Sequence, residues 1–222
     1  MKHFQTFVIF FLFVNLLPAQ NFTYPTLARG SKTCEAIVPK RWYIKDSVRG
    51  DLNGDKKADL VVIIECVDTV LERSDNIYKT NPRILFILFK TESGYSKMAQ
   101  NNTFILRKGE GGMVDDPATT LGIKKGVLSI MFEFVRDHTE YKFRYQENNF
   151  ALIGASTGGS DGVSTIESWD INFLKKKVKH VVEPIGEGKE KTEWKTFKLE
   201  KLKTLSDFVR PFEWEVLPGI HL

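Results

Sequence analysis

Cysteine and histidine are scarce in this 222-residue chain, with two of the first and four of the second. Cys34 and Cys66 form no CxxC pair, and none of His138, His180 and His221 has an i, i+4 or HxH partner. Zinc sites built on those spacings are therefore excluded. Charge of one sign is also lacking: 32 basic against 28 acidic residues leave a net +4, too mild an excess for a nucleic-acid-binding surface. After the first twenty residues no apolar run is long enough to cross a bilayer as a helix. Internal repeats and low-complexity tracts are absent as well. The glycine-rich stretch Gly109–Pro117 is followed by no Gly-Lys-Ser/Thr and holds no GxGxxG, so it reads as turn chemistry and not as a phosphate cradle.

What is present begins with an export signal at residues 1–20. Lys2 and His3 form a short basic head, Phe7 to Leu17 is an almost unbroken apolar run, and Pro18-Ala19-Gln20-Asn21 supplies a cleavage zone. At about eleven residues the run is too short to span a bilayer. The expected destination is the periplasm or the extracellular space, and without Lys2 the basic count falls to 31 against 28 acidic residues, near +3. Two readings of Cys34 and Cys66 stand open: a disulfide, which an oxidising compartment permits, or buried free thiols. The second fits Cys66, which shares a strand face with Leu60, Val62 and Ile64.

After a lead-in over 21–40, the texture from 41 to 216 is that of one mainly β domain. Trp42-Tyr-Ile-Lys45, Leu60–Val67 and Ile84–Phe89 read as strands, and the polar stretch Asp68–Asn81 as a long connection. Later segments read as hairpins: Leu121–Phe134 about Lys124-Lys125-Gly126, Glu140–Tyr145 with Phe150–Gly154, and Ser168–Leu174 with Val178–Val182. Thr204-Leu-Ser-Asp207 has capping-box spacing for a short helix stopped by Pro211. The expected fold is an antiparallel sandwich, or a curved, partly propeller-like meander.

The stretch with most chemical content is Gly50-Asp-Leu-Asn-Gly-Asp-Lys-Lys-Ala-Asp59. Asp51, Asn53, Asp55 and Asp59 occupy positions 1, 3, 5 and 9 of a loop, and Lys57 at position 7 offers its backbone carbonyl. Alternate residues of a tight loop converge on one point, and a hard cation such as Ca²⁺ takes six to eight oxygens. A bare hairpin turn also accommodates Asn-Gly and closely spaced aspartates, but three carboxylates within nine residues repel one another unless something positive lies between them. The expectation is a structural calcium site formed by Asp51, Asn53, Asp55, Lys57 and Asp59. It departs from an EF-hand, because position 12 is Val62 and an apolar β-branched run follows in place of a helix.

Entering through Gly-Asp-x-Asn-x-Asp and leaving through Asp-Leu-Val-Val, the loop resembles the calcium loops of FG-GAP or VCBS repeats of integrin-like β-propellers. The resemblance covers about Trp42 to Phe89, one blade's worth, and only one such loop is found, which argues against a complete propeller. Those repeats usually carry Gly at position 6, where this chain has Lys56. The later pattern Tyr-Lys-Phe-Arg-Tyr, Phe-Ala-Leu-Ile-Gly, Asp-Ile-Asn-Phe-Leu is similar to exported bacterial β-proteins with an FG-GAP-like loop near the N-terminus. That resemblance implies a fold and a compartment and no activity.

One motif points elsewhere. Gly154-Ala-Ser-Thr-Gly158 satisfies GxSxG, and Asp161 or Asp170 followed by His180 supplies the chain order of an α/β-hydrolase triad. The chemistry needs Ser156 on a strand-to-helix turn, whereas Gly-Gly-Ser-Asp-Gly-Val-Ser follows, so a flexible loop is expected there. The favoured function is a non-enzymatic exported module that binds a protein or glycan, or acts at the cell envelope, through a face whose geometry calcium helps to fix. The alternative is a secreted hydrolase with its site on loops 109–117 and 154–163.

Overall fold

The structure is a computed structural model that describes residues 22–73 and 77–222; the expected export signal lies outside the described residues. It is mainly β, built from antiparallel sheets that do not close into a barrel, as in a β sandwich. Two sheets account for most of it. The first has five strands in the order β1 (Gly30–Ser31), β7 (Tyr95–Asn101), β6 (Arg83–Lys90), β3 (Asp59–Cys66) and β2 (Trp42–Gly50). The second is a seven-stranded meander. It runs from β8 (Ala118–Lys124) through β9 (Val127–Glu133), β10 (Asp137–Gln146), β11 (Asn149–Ser160), β12 (Thr165–Asn172) and β13 (Lys177–Pro184) to β14 (Lys191–Thr196).

The two sheets bury their strands differently, and the sequence differs accordingly. All of β3 and nearly all of β6 are buried, because the five-stranded sheet is covered on both faces. On one face Val61, Ile63, Leu85 and Ile87 meet Leu128, Ile130, Phe132, Tyr141 and Phe143 of the second sheet. On the other, Leu60, Val62, Ile64, Ile84, Phe86 and Leu88 lie under the lead-in segment, through Leu27, Cys34 and Ile37. Continuous apolar runs are what a doubly covered strand requires. The second sheet has one covered face, and β9 and β10 alternate: Leu128, Ile130, Phe132, Thr139, Tyr141 and Phe143 point inward. Both cysteines are buried free thiols, and burial pushes the Cys34 thiol above its ordinary range.

The three expected hairpins are present as β8–β9, β10–β11 and β12–β13. The connection expected over Asp68–Asn81 instead holds two short paired strands, β4 (Val70–Arg73) and β5 (Ile77–Thr80). The capping box at Thr204 and Asp207 forms, but the helix it starts is a single 3-10 turn over Leu205–Asp207. Residues 203–204 lie along the start of β11, beyond the end of β12, where the Leu152 N–H donates to the Lys203 carbonyl at 2.8 Å. A hairpin of β15 (Glu215–Leu217) and β16 (Ile220–His221) follows, and Leu222 is fully buried in the main core. Phe104 is the hub of that core, with Phe132, Tyr141, Phe143 and Phe208 around it at 5.0–5.9 Å between ring centroids.

Candidate metal centre and the polar sites around it

The loop between β2 and β3 is shaped by its own side chains. Asp51 accepts the Gly54 N–H at 2.7 Å with one carboxylate oxygen and the Lys56 N–H at 2.9 Å with the other. Asn53 Oδ1 accepts the Asp55 N–H at 3.0 Å, and Asp55 Oδ1 accepts the Lys57 N–H at 2.8 Å. Successive Asx turns of this kind bring the oxygens of positions 1, 3 and 5 to the inside of the loop. Lys56 has φ 64°, so the chain takes at position 6 the left-handed conformation that glycine adopts most easily. Lys56 and Lys57 are exposed.

Asp59 differs from the other three. It is fully buried at the first position of β3, and its two oxygens accept the Leu52 and Lys90 N–H groups, each at 2.9 Å. That carboxylate therefore ties the loop's start to β6, the neighbour of β3. Burial pushes its carboxyl above the usual range; the two backbone hydrogen bonds oppose the rise, and the negative charges of Asp55 and Asp51 add to it. Each accepting oxygen still has a lone pair for a cation. Carboxylate, amide and carbonyl oxygens are the donor types a hard cation takes. Among the described residues no three His, Cys, Asp or Glu side chains are gathered as a metal cage, Asp51, Asp55 and Asp59 included.

The loop also touches the second sheet. A Cβ on Gly50 would fall 2.6 Å from Ile123 Cγ2, so β2 approaches β8 more closely than any side chain allows. A cleft of about 380 Å³ lies between the loop and the β8–β9 turn, lined by Asp51, Gly54, Ile123, Lys125 and Gly126.

A second polar site was not visible in the spacing of the sequence. Arg83 is 1 % exposed, yet its guanidinium donates to Glu65 Oε2 at 2.6 Å, to the Leu106 carbonyl at 2.5 Å and to Asp116 Oδ1 at 2.7 Å. The Tyr43 hydroxyl donates to Glu65, and Lys45 lies 3.1 Å from Asp116 and 3.4 Å from Glu65. Burial alone would raise the Glu65 carboxyl; the bonds from Tyr43 and Arg83 outweigh it and bring the pKa below the ordinary value. The Tyr43 hydroxyl is pushed up to about 12, mainly because it donates to that carboxylate. Asp116, which reads in sequence as part of a solvated turn, is thus tied to a buried arginine. The available signal was a charge at the end of each apolar run, since Glu65 and Arg83 are cross-strand partners.

The GxSxG residues do not form a nucleophile elbow. Gly154 to Ser160 lie within β11, paired to β10 on one side and β12 on the other, so the loop expected over 154–163 begins only after Ser160. Full pairing on both edges holds extended a Gly-Ser-Thr stretch whose composition suggests a loop. Ser156 stands opposite Asp170, and Asp170 opposite Lys179. His180 belongs to the next row and points to the other face of the sheet. There it stacks on Trp169, with ring centroids 3.7 Å apart and planes 6° from parallel, and its Nε2 donates to Glu167 Oε1 at 2.5 Å. Of the four tryptophans, Trp42, Trp169 and Trp214 are half-buried and Trp194 is exposed on β14.

No family model, no curated protein and no solved structure matches this chain.

Proposed function

We propose that this chain is a non-enzymatic, extracytoplasmic β domain that serves as a binding or cell-envelope interaction module. Its β2–β3 loop would hold a structural calcium ion through Asp51, Asn53, Asp55, Asp59 and the Lys57 carbonyl, in the manner of FG-GAP and VCBS loops. The observation that carries this reading is the loop's backbone: Asx turns at positions 1, 3 and 5, and a left-handed residue at position 6 that is not glycine. A left-handed lysine costs roughly 1 kcal/mol or more, and the β8–β9 and β12–β13 turns hold one too, at Lys125 and Lys176, so it is the run of three Asx side chains folded onto one loop that sets residues 51–59 apart. Bound there, a calcium ion supplies the positive charge that the three aspartates lack among themselves. The chain's own part is to hold the oxygens, to close the loop through Asp59 onto β6, and to seat the loop against the β8–β9 turn.

With free calcium at about 1 mM and a Kd of about 0.1 mM, binding stabilises by RT ln 11, roughly 1.4 kcal/mol. For a domain of this size that is a rise in Tm of about 3–6 °C. The test is thermal unfolding of the chain without residues 1–20, in excess EDTA and in millimolar calcium, alongside Asp55→Ala. A calcium-dependent rise that Asp55→Ala removes is expected. Equal melting curves for a metal-free preparation with and without calcium would reduce residues 51–59 to an acidic turn.

A further inference from the structure

The inner face of the seven-stranded sheet changes character along its length. Near the core it carries Tyr141, Ala155, Ile171 and Val178, all buried. One row further along stand Thr139, Thr157, Trp169 and His180, and beyond them Asp137, Gly159 and Glu167. This polar end is not sealed by the other sheet. It opens on a cleft of about 480 Å³ that residues 219–221, at the β15–β16 hairpin, also line. That is room for one or two sugar rings.

We propose that this cleft binds a sugar ring, with Trp169 as the stacking platform and the carboxylates of Asp137 and Glu167 as acceptors for ring hydroxyls. The proposal rests on reading the protein as a binding module and supplies the ligand class that reading leaves open. Three observations carry it. First, the Trp169 ring is fixed before any ligand arrives, because His180 lies flat against one face, Glu167 holds His180 by its Nε2, and the Lys195 ammonium lies 5.7 Å from the ring centroid, leaving the part of the indole that lines the cleft for a ligand. A flat, immobilised indole suits the C–H face of a pyranose and binds at little entropic cost.

Second, acceptors dominate. The Asp137 carboxylate has no hydrogen-bond or ion-pair partner among the described residues, and only Oε1 of Glu167 is engaged. Asp161, also at the rim, is already saturated by the N–H groups of Val163, Ser164 and Thr165 and the hydroxyls of Ser164 and Thr165. A site rich in carboxylate acceptors selects donors such as hydroxyls and repels anions.

Third, the acceptors come from two strands on either side of a bare floor. Asp137 and Glu167 flank Gly159 from β10 and β12. A Cβ at residue 159 would fall 1.7 Å from Asp137 Oδ1, so only glycine lets that carboxylate lie across β11.

The test follows the Trp169 indole N–H and the Gly159 amide by NMR while cellobiose, chitobiose, lactose, sorbitol and tetramethylammonium chloride are titrated separately. At least one disaccharide is expected to give saturable shifts at both positions. Trp169→Ala and Asp137→Asn should each weaken it at least about tenfold, with folding checked by circular dichroism. Asp137 is exposed, so its variant keeps the fold if Trp169→Ala does not. Trp194→Ala, on the opposite face, should leave binding unchanged. The proposal is overturned if no disaccharide shifts either signal at tens of millimolar, if tetramethylammonium alone does so, or if binding survives both variants. Calcium dependence of melting is read separately, so failure here and failure of the calcium loop are distinct results.

Discussion

At the scale of single residues, Lys56 and Asp59 show how differently two positions of one loop can be read. Asp59 stands out in the sequence as a candidate ligand from its spacing, but its burial and its bond to Lys90 depend on β6, more than twenty residues away. Lys56 reads as a departure from the glycine expected, and the backbone nonetheless takes φ 64°. Lys56→Gly should therefore stabilise the protein by about 1 kcal/mol, seen as a higher urea midpoint at unchanged slope. Asp59 has a folded pKa above its ordinary 3.8. Its contribution is thus fully present below the unfolded value and is lost as pH rises through the folded one. In EDTA this loss is uncompensated, so the rise in Tm on adding calcium should be larger near pH 6 than near pH 4. A calcium effect independent of pH across that range would remove Asp59 from the site.

Arg83 belongs to the same scale, and its lesson is the opposite one. Nothing in the spacing distinguishes it from a surface arginine at a strand end, and pairing with Glu65 is what draws both inward. Arg83→Met leaves the Glu65 carboxylate buried without its main partner and should cost about 3–5 kcal/mol in denaturant unfolding. Combining it with Glu65→Leu should recover much of that loss, because the uncompensated charge is then gone. Glu65 and Asp116 both have folded pKa values below their ordinary 4.5 and 3.8. Their contribution is present above those values and is lost as pH falls through the folded ones. Acid unfolding of the Arg83→Met, Glu65→Leu protein should accordingly be less steep than that of the parent.

At the scale of elements, periodicity served the second sheet well, because one buried face writes alternation into β9 and β10. It also separated β3 and β6 as unbroken apolar strands, although what covers their second face was not legible: the lead-in supplies only scattered buried residues, Leu27, Cys34 and Ile37. β11 defeated composition, since Gly154 to Ser160 look like a loop and are held as a strand by two partners. Asn101 is an element-scale joint that no local pattern announces. Its amide donates to the carbonyls of Leu205 and Phe208 at 2.8 and 2.9 Å, and its oxygen accepts the N–H groups of Thr103 and Phe104. Asn101→Ala should destabilise by about 2–3 kcal/mol, and hydrogen exchange should locate the loosening at residues 203–208.

For the molecule as a whole, antiparallel β architecture followed from the strand and turn pattern, whereas the division into a doubly covered sheet and a half-open meander did not. That division has a consequence for how the chain reaches its native state. Each strand from β8 to β14 pairs only with its sequence neighbours, so the meander can assemble as the polypeptide lengthens. Its inner face stays unfinished until Leu205, Phe208 and Leu222 arrive to complete the core around Phe104 and Tyr141. Cooperative folding therefore waits for residues 205–222, and a nascent chain halted before them exposes its aromatic face to whatever holds it.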